Sequence, residues 1–317
     1  MPISLRVAFG IGTAVFTVAA VHGQDFPTKP LRIVTSGIGG SSDFAARLIA
    51  QGLSGTLGQQ VIVDNRPSGV IPGQVVSAAQ PDGYTLLLTS NSLWVGSLLQ
   101  HVPYDVVKDF APVALVARSL NVLVVHPSLP VNSVKELIAL AKAKPGALNY
   151  ASGGTGGTGH LTGELFKSMA GVNIVHVPYK SAATAISDVL SGQVQMTFDS
   201  ASTVIPLAKA GKLRALAVTS AEPTELVAGL PAVAAFLPGF ESVITSGMLA
   251  PAKTPAVTIK RLNQEIDRTI RTPDVKEKFF GRGMDVVYSS PEQFAATIRT
   301  DLVTMGKVIK DAGIKAE

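Results

Sequence analysis

The strongest constraint on this chain is a repeated alternation. A short apolar stretch ends in a turn, a helical pattern follows, and the unit recurs along most of the length. Lys29–Ser36 reads as a strand, Gly37–Ser42 as a glycine and hydroxyl turn, and Asp43 to Thr56 as a helix with Phe44, Leu48 and Leu53 near one face. Further strands are expected at Gln60–Asp64, Tyr84–Thr89, Phe110–Ala117, Asn121–His126, Leu148–Ser152, Ile174–Val177, Val194–Phe198 and Leu213–Val218, most of them separated by helices. Ser133 with Glu136 forms a capping box, and Pro145-Gly146 ends the helix it opens. Apolar strands with intervening helices belong to an α/β fold, a mostly parallel sheet covered on both faces. From Pro223 the chain reads as loop-rich, until two amphipathic helices over Pro255–Arg271 and Pro291–Ala312.

At 317 residues the chain exceeds what one core usually organises. The expectation is two lobes, one formed by 24–122 with 231–317 and the other inserted at 123–230, with a ligand cleft between them. Residues 1–23 read as a secretory signal: Arg6, an apolar run over Val7–Val21, and small residues up to Gly23. A periplasmic location is therefore expected, outside the supply of ATP and NAD(P)H. The net charge of +5 is spread without a basic stripe, so no nucleic acid is expected as a partner. The absence of cysteine excludes thiolate metal sites, thiol nucleophiles and disulfides. No metal is expected, no cofactor, and a monomer is the expected state.

Gly154-Thr155-Gly156-Gly157-Thr158-Gly159 satisfies the spacing of a dinucleotide turn, but the strand after it, at Val175–Val177, carries no acid to hold a ribose. A more general chemistry is shared by Ser36–Asp43 and Ser152–Gly159. Both follow strands and precede helix N-termini, and glycine and hydroxyl residues dominate both. Glycine lets backbone N–H groups approach a ligand, and helix N-termini favour negative charge. Such loops, one on each lobe, would grip a carboxylate, or they are ordinary glycine turns with helix caps. The residues that would carry the grip are Ser36, Gly37, Ile38, Gly39, Gly40 and Ser41 on one side, and Ser152, Gly153, Gly154, Thr155, Gly156 and Thr158 on the other. Asp43 either caps its helix or accepts a bond from a ligand. His160 is placed to face the cleft, His176 reads as a core or supporting residue, and Tyr179 and Lys180 stand at a strand end. A hydrolase using Ser152 with His160 is the alternative from a different class, without an evident orienting carboxylate. A sensory receptor binding the same ligand is a third.

The segments KPLRIVTSGIGGSSDFAARLIA (29–50), LGQQVIVDNRP (57–67), QPDGYTLLL (80–88), PYDVVKDFAPVALVA (103–117), NSVKELIALAKAKPGALNYASGGTGGTGHLTGELF (132–166), HVPYKSAATAISDVLSGQVQMTF (176–198) and AGKLRALAVTS (210–220) together resemble the tripartite tricarboxylate transporter receptors of the TctC/Bug type. The resemblance implies a two-lobed periplasmic-binding-protein fold of type II. It also implies capture of a small carboxylate (a dicarboxylate, an aromatic acid or an amino acid) for a permease of one large and one small membrane subunit, with no catalysis by the receptor. It points to the two loops as carboxylate binders, and to 178–181 and the strand end at Thr197 and Asp199 as completing the pocket. The chain departs from the family pattern at Ile38, where proline is usual, at Ser181, where glycine is, and at Ser246, where an aromatic is common.

Overall fold

A computed structural model describes residues 26–38, 41–66, 70–311 and 313–314. The expected signal at 1–23, and Gly39 and Gly40 of the first loop, lie outside the described residues. In chain order the elements are β1 (Leu31–Thr35), α1 (Ser41–Leu57), β2 (Val61–Asn65), α2 (Val70–Ser77), β3 (Thr85–Ser90), α3 (Ser92–Gly96), β4 (Phe110–Val125), α4 (Val134–Ala143), β5 (Asn149–Ser152) and α5 (Thr158–Ala170). They continue as β6 (Val175–Pro178), α6 (Ala182–Leu190), β7 (Met196–Ser200), α7 (Ala201–Lys209), β8 (Arg214–Val218), β9 (Val243–Pro251), α8 (Ala256–Ile270), α9 (Pro273–Phe280), β10 (Met284–Val286) and α10 (Pro291–Asp311).

One strand organises the molecule. The two strands expected over Phe110–Ala117 and Asn121–His126 are a single strand, β4, paired with β9 as far as Leu120 and with β7 from Asn121 onward. Its alternation explains why the sequence there is apolar without a break: Leu123 and Val125 enter one core of the second lobe, while Val122 and Val124 enter the core on the other face. The lobes repeat one strand order, β2-β1-β3-β9-β4 in the first and β6-β5-β7-β4-β8 in the second. β1 pairs in parallel with β2 and β3, and β5 with β6 and β7, as expected. The crossing strands are antiparallel to their neighbours, so the sheet is mixed rather than mostly parallel.

β9 falls where the sequence reads as loop. It closes the first-lobe sheet between β3 and β4. Gly247 within it has a packing reason: a Cβ there would sit 2.3 Å from the ring of Phe294 on α10. α3, α9 and β10 are likewise elements of the structure that the sequence pattern does not announce. The first lobe is sandwiched, with α1, α8 and α9 packing Leu53, Leu262, Ile266 and Phe279 on one face, and α3 and α10 packing Trp94, Phe294 and Ile298 on the other. Trp94 Nε1 donates to Asp301 Oδ2 at 2.8 Å and fixes α10 to α3. The core around Leu123 and Phe166 also takes in Val233, Leu237 and Phe240, together with Val308 of α10. The chain returns across the junction at Thr219, whose N–H donates to Asn121 O, and at Ser242, whose N–H donates to Thr219 O.

Candidate functional site

The two glycine loops occupy equivalent places, each after the second strand of its lobe's order. Each strand end is pinned by a buried threonine. Thr35 Oγ1 donates to Leu88 O across β1 and β3, and Thr197 Oγ1 donates to Ala151 O across β7 and β5. Thr197 is completely buried, so this candidate sets the strands under the loop and offers no surface to a ligand.

The first loop is held from below. Asn65 Nδ2 donates to Ser36 O and to Asp43 Oδ1, both at 2.8 Å, and Arg47 pairs with the same Asp43 oxygen at 3.0 Å. Asp43 is buried in the first turn of α1. Its carboxylate is therefore engaged by residues of its own lobe, which favours the structural of its two expected roles. Ser36 is half-buried, Gly37 and Ser41 are exposed, and Ile38 is 81% exposed, the most exposed of the large apolar side chains among the described residues.

Beneath the second loop lies a stack of three rings. The ring centroid of His160 is 4.0 Å from that of His176, which is 4.9 Å from that of Tyr150. His160 Nδ1 accepts the N–H of Gly156 at 2.9 Å, and His176 Nε2 lies 2.7 Å from Ser152 Oγ. Ser152 also donates to Gly154 O and accepts from Gly154 N–H. Tyr150 OH donates to Glu164 at 2.6 Å, and Lys167 neutralises Glu164. Burial lowers the pKa of His160, and burial with the neighbouring His160 brings His176 down to about 4. Both rings are thus neutral at physiological pH, as acceptance by His160 Nδ1 requires. His160 is buried and shapes the loop from within instead of facing the cleft. Ser152 meets His176, not His160, and it too is buried, so the pair weighed as a hydrolytic set is not formed.

The loop itself needs glycine for two separate reasons. Gly154 and Gly156 have φ of 142° and 78°, in the region disfavoured for other residues. At Gly153 a Cβ would come 2.7 Å from Ala182 N, so the loop rests directly on the first turn of α6. Gly156 touches the first lobe, where its Cβ would meet Leu99 Cδ1 at 2.9 Å. The N–H groups of Gly153 and Thr155 have no partner among the described residues. Thr155 is exposed and Thr158 half-buried. Tyr179 gives its hydroxyl to Asp188 at 2.7 Å and so braces α6, whereas Lys180 is exposed. Asp199 lies at the end of β7, where burial pushes its carboxyl up to about 6.

Beside Gly156 and Thr158 opens a cavity of about 440 Å³ on the α10 side of the crossing strands, lined also by Asn91, Arg118, Asn121 and Asp301. The sequence reading missed these residues, because they come from three separate elements with no local pattern. Among the described residues no helix is long and apolar enough to cross a membrane, and no cluster of His, Asp and Glu is suited to a metal ion.

The model of the tripartite tricarboxylate transporter family receptors matches residues 45–314. The chain belongs to that family. Among curated relatives, this receptor is 34% identical over 321 residues to protein BugT of Bordetella pertussis, covering 98% of each chain. Among solved structures it resembles the R. palustris protein Rpa4515 with adipate, at 35% identity and a TM-score of 0.78, over 92% of this chain and 99% of that one. It also resembles MatC of Rhodopseudomonas palustris with bound malate, at 26% identity and a TM-score of 0.74, over 90% of this chain and all of that one. The receptor thus has the two-lobed periplasmic-binding-protein fold with a cleft between lobes, in a family of solute-binding receptors.

Proposed function

We propose that this receptor works in the periplasm, reached through the signal at 1–23, where it captures a small carboxylate between its lobes and delivers it to a permease of one large and one small membrane subunit. The observation that carries this reading is the pair of equivalent loops, rich in donors and free of fixed cations. Residues 36–43 and 152–159 contain no Arg or Lys, and the second loop keeps unspent N–H groups at Gly153 and Thr155. A carboxylate withdrawn from water needs such donors, since an unpaired buried charge costs several kcal/mol or more. Ser36, Gly37, Ile38 and Ser41 face it from the first lobe, and Gly153 to Gly156 with Thr158 from the second. Adipate and malate, found with relatives of the same fold, are small carboxylates of the kind proposed.

A thermal-shift screen of small mono- and dicarboxylic acids tests the reading, because a ligand bound only by the native state raises stability by mass action. Calorimetry on the best acid and its uncharged amide follows, with at least tenfold weaker binding of the amide expected. Equal affinity for acid and amide refutes carboxylate recognition. Loss of binding only in Lys180→Met would move the main interaction from the loops to that cation.

A further inference from the structure

Asp199 stands among the donors of the second lobe without an evident purpose there. It is the penultimate residue of β7. Met196 and Phe198 enter the core under α4 and α5, so Thr197 and Asp199 face the opposite side of the sheet. β5 runs parallel beside β7 with Ala151 opposite Thr197, the last pair of that ladder, and Gly153 and Asp199 each stand two residues beyond it. Gly153 is one of the loop residues with an unspent N–H. Neighbouring strands lie about 4.8 Å apart. A carboxylate received by Gly153 and Thr155 therefore holds the substituent on its adjacent carbon within reach of Asp199.

The Asp199 side chain is poorly provided for by the protein. Oδ1 accepts the N–H of Ser200 at 2.6 Å, and Oδ2 has no partner among the described residues. No cationic side chain contributes to the electrostatics of the carboxyl, and burial is what raises it. A desolvated carboxylate in that position repels a second anionic group and gains from a donor.

We infer that Asp199 makes the receptor selective for acids bearing an ammonium or hydroxyl group next to the bound carboxylate, over the plain acid of the same length. This rests on the reading that the glycine loops hold a carboxylate. Three sets of probes isolate the substituent: succinate, malate and aspartate; glutarate, 2-hydroxyglutarate and glutamate; adipate, 2-hydroxyadipate and 2-aminoadipate.

Calorimetry on the full receptor is expected to show one set in which a substituted member binds at least about tenfold tighter than the plain one, the gain of a charge-assisted bond. In Asp199→Asn that ratio should fall to about threefold or less, through weaker binding of the substituted member. A second measurement needs no variant. At pH 6 an ammonium-bearing ligand drives Asp199 to ionise and releases a proton, read as a binding enthalpy that depends on the buffer's ionisation enthalpy, while the plain acid releases none. The inference is overturned if plain and substituted members bind alike, if the ratio survives in Asp199→Asn, if an ammonium-bearing acid that binds tighter than its plain counterpart releases no proton, or if only donor-free acids such as benzoate bind. If no acid binds at all, the carboxylate reading falls with it, so the two failures are told apart.

Discussion

Asp199 and His176 make opposite claims on stability as pH changes, and replacing one exposes the other. Burial lowers His176 from 6.5 to about 4. Between those values the unfolded chain binds a proton that the native state refuses, so stability falls as pH drops from about 6.5 to 4. Burial raises Asp199 from 3.8 to about 6. There the native state holds a proton that the unfolded chain has released, so stability rises as pH drops from about 6 to 4 and is lost as pH rises through 6. Each span is worth up to about 3 kcal/mol, and about 1–3 after allowing for the partial exposure of both groups. In the wild type the two nearly cancel. Asp199→Asn keeps the shape and removes the titration. Urea unfolding should find the variant more stable than wild type by about 1–3 kcal/mol at pH 7.5, with the difference closing by about pH 4. A gap that does not change with pH would refute the reasoning, because it would mean that Asp199 is not desolvated in the native state.

Ser152→Ala leaves His176 Nε2 and the Gly154 peptide without their partner, so a loss of about 1–3 kcal/mol is expected in urea melts even without ligand. Gly247→Ala drives a methyl group against Phe294, and thermal unfolding should show a loss of about 1–3 kcal/mol. Gly153→Val lifts the loop from the first turn of α6, so binding of the best acid from the thermal-shift screen should weaken more than tenfold in calorimetry while the far-ultraviolet spectrum of the folded chain is kept.

The βα units were legible because each strand and helix declares its own period, and the glycine loops because few side chains suit such turns. The roles of the polar residues around those loops were not legible. Whether His160 faces outward or inward depends on a stacking partner, His176, that comes from the neighbouring strand. Asp43 is claimed by Asn65, which reaches it from the end of β2, and Thr197 by a carbonyl on β5. Such bonds join residues far apart in sequence, and no local pattern announces them. β9 was hidden for a different reason. Gly247 and Pro251 interrupt its β-forming residues, and prolines crowd the segments around it, yet antiparallel pairing on both sides and the Phe294 ring over Gly247 hold it in place.

The place of β9 in the chain has a consequence during synthesis. β1, β2 and β3 leave the ribosome early, but the strand that completes their sheet emerges only after the whole inserted lobe has been made. The second lobe has all its own strands by Val218, so it matures while the first still presents β3 as an open edge. A nascent chain in that condition is slow to become fully native and exposes apolar surface until β9 and the helices α8, α9 and α10 that cover the sheet have been added.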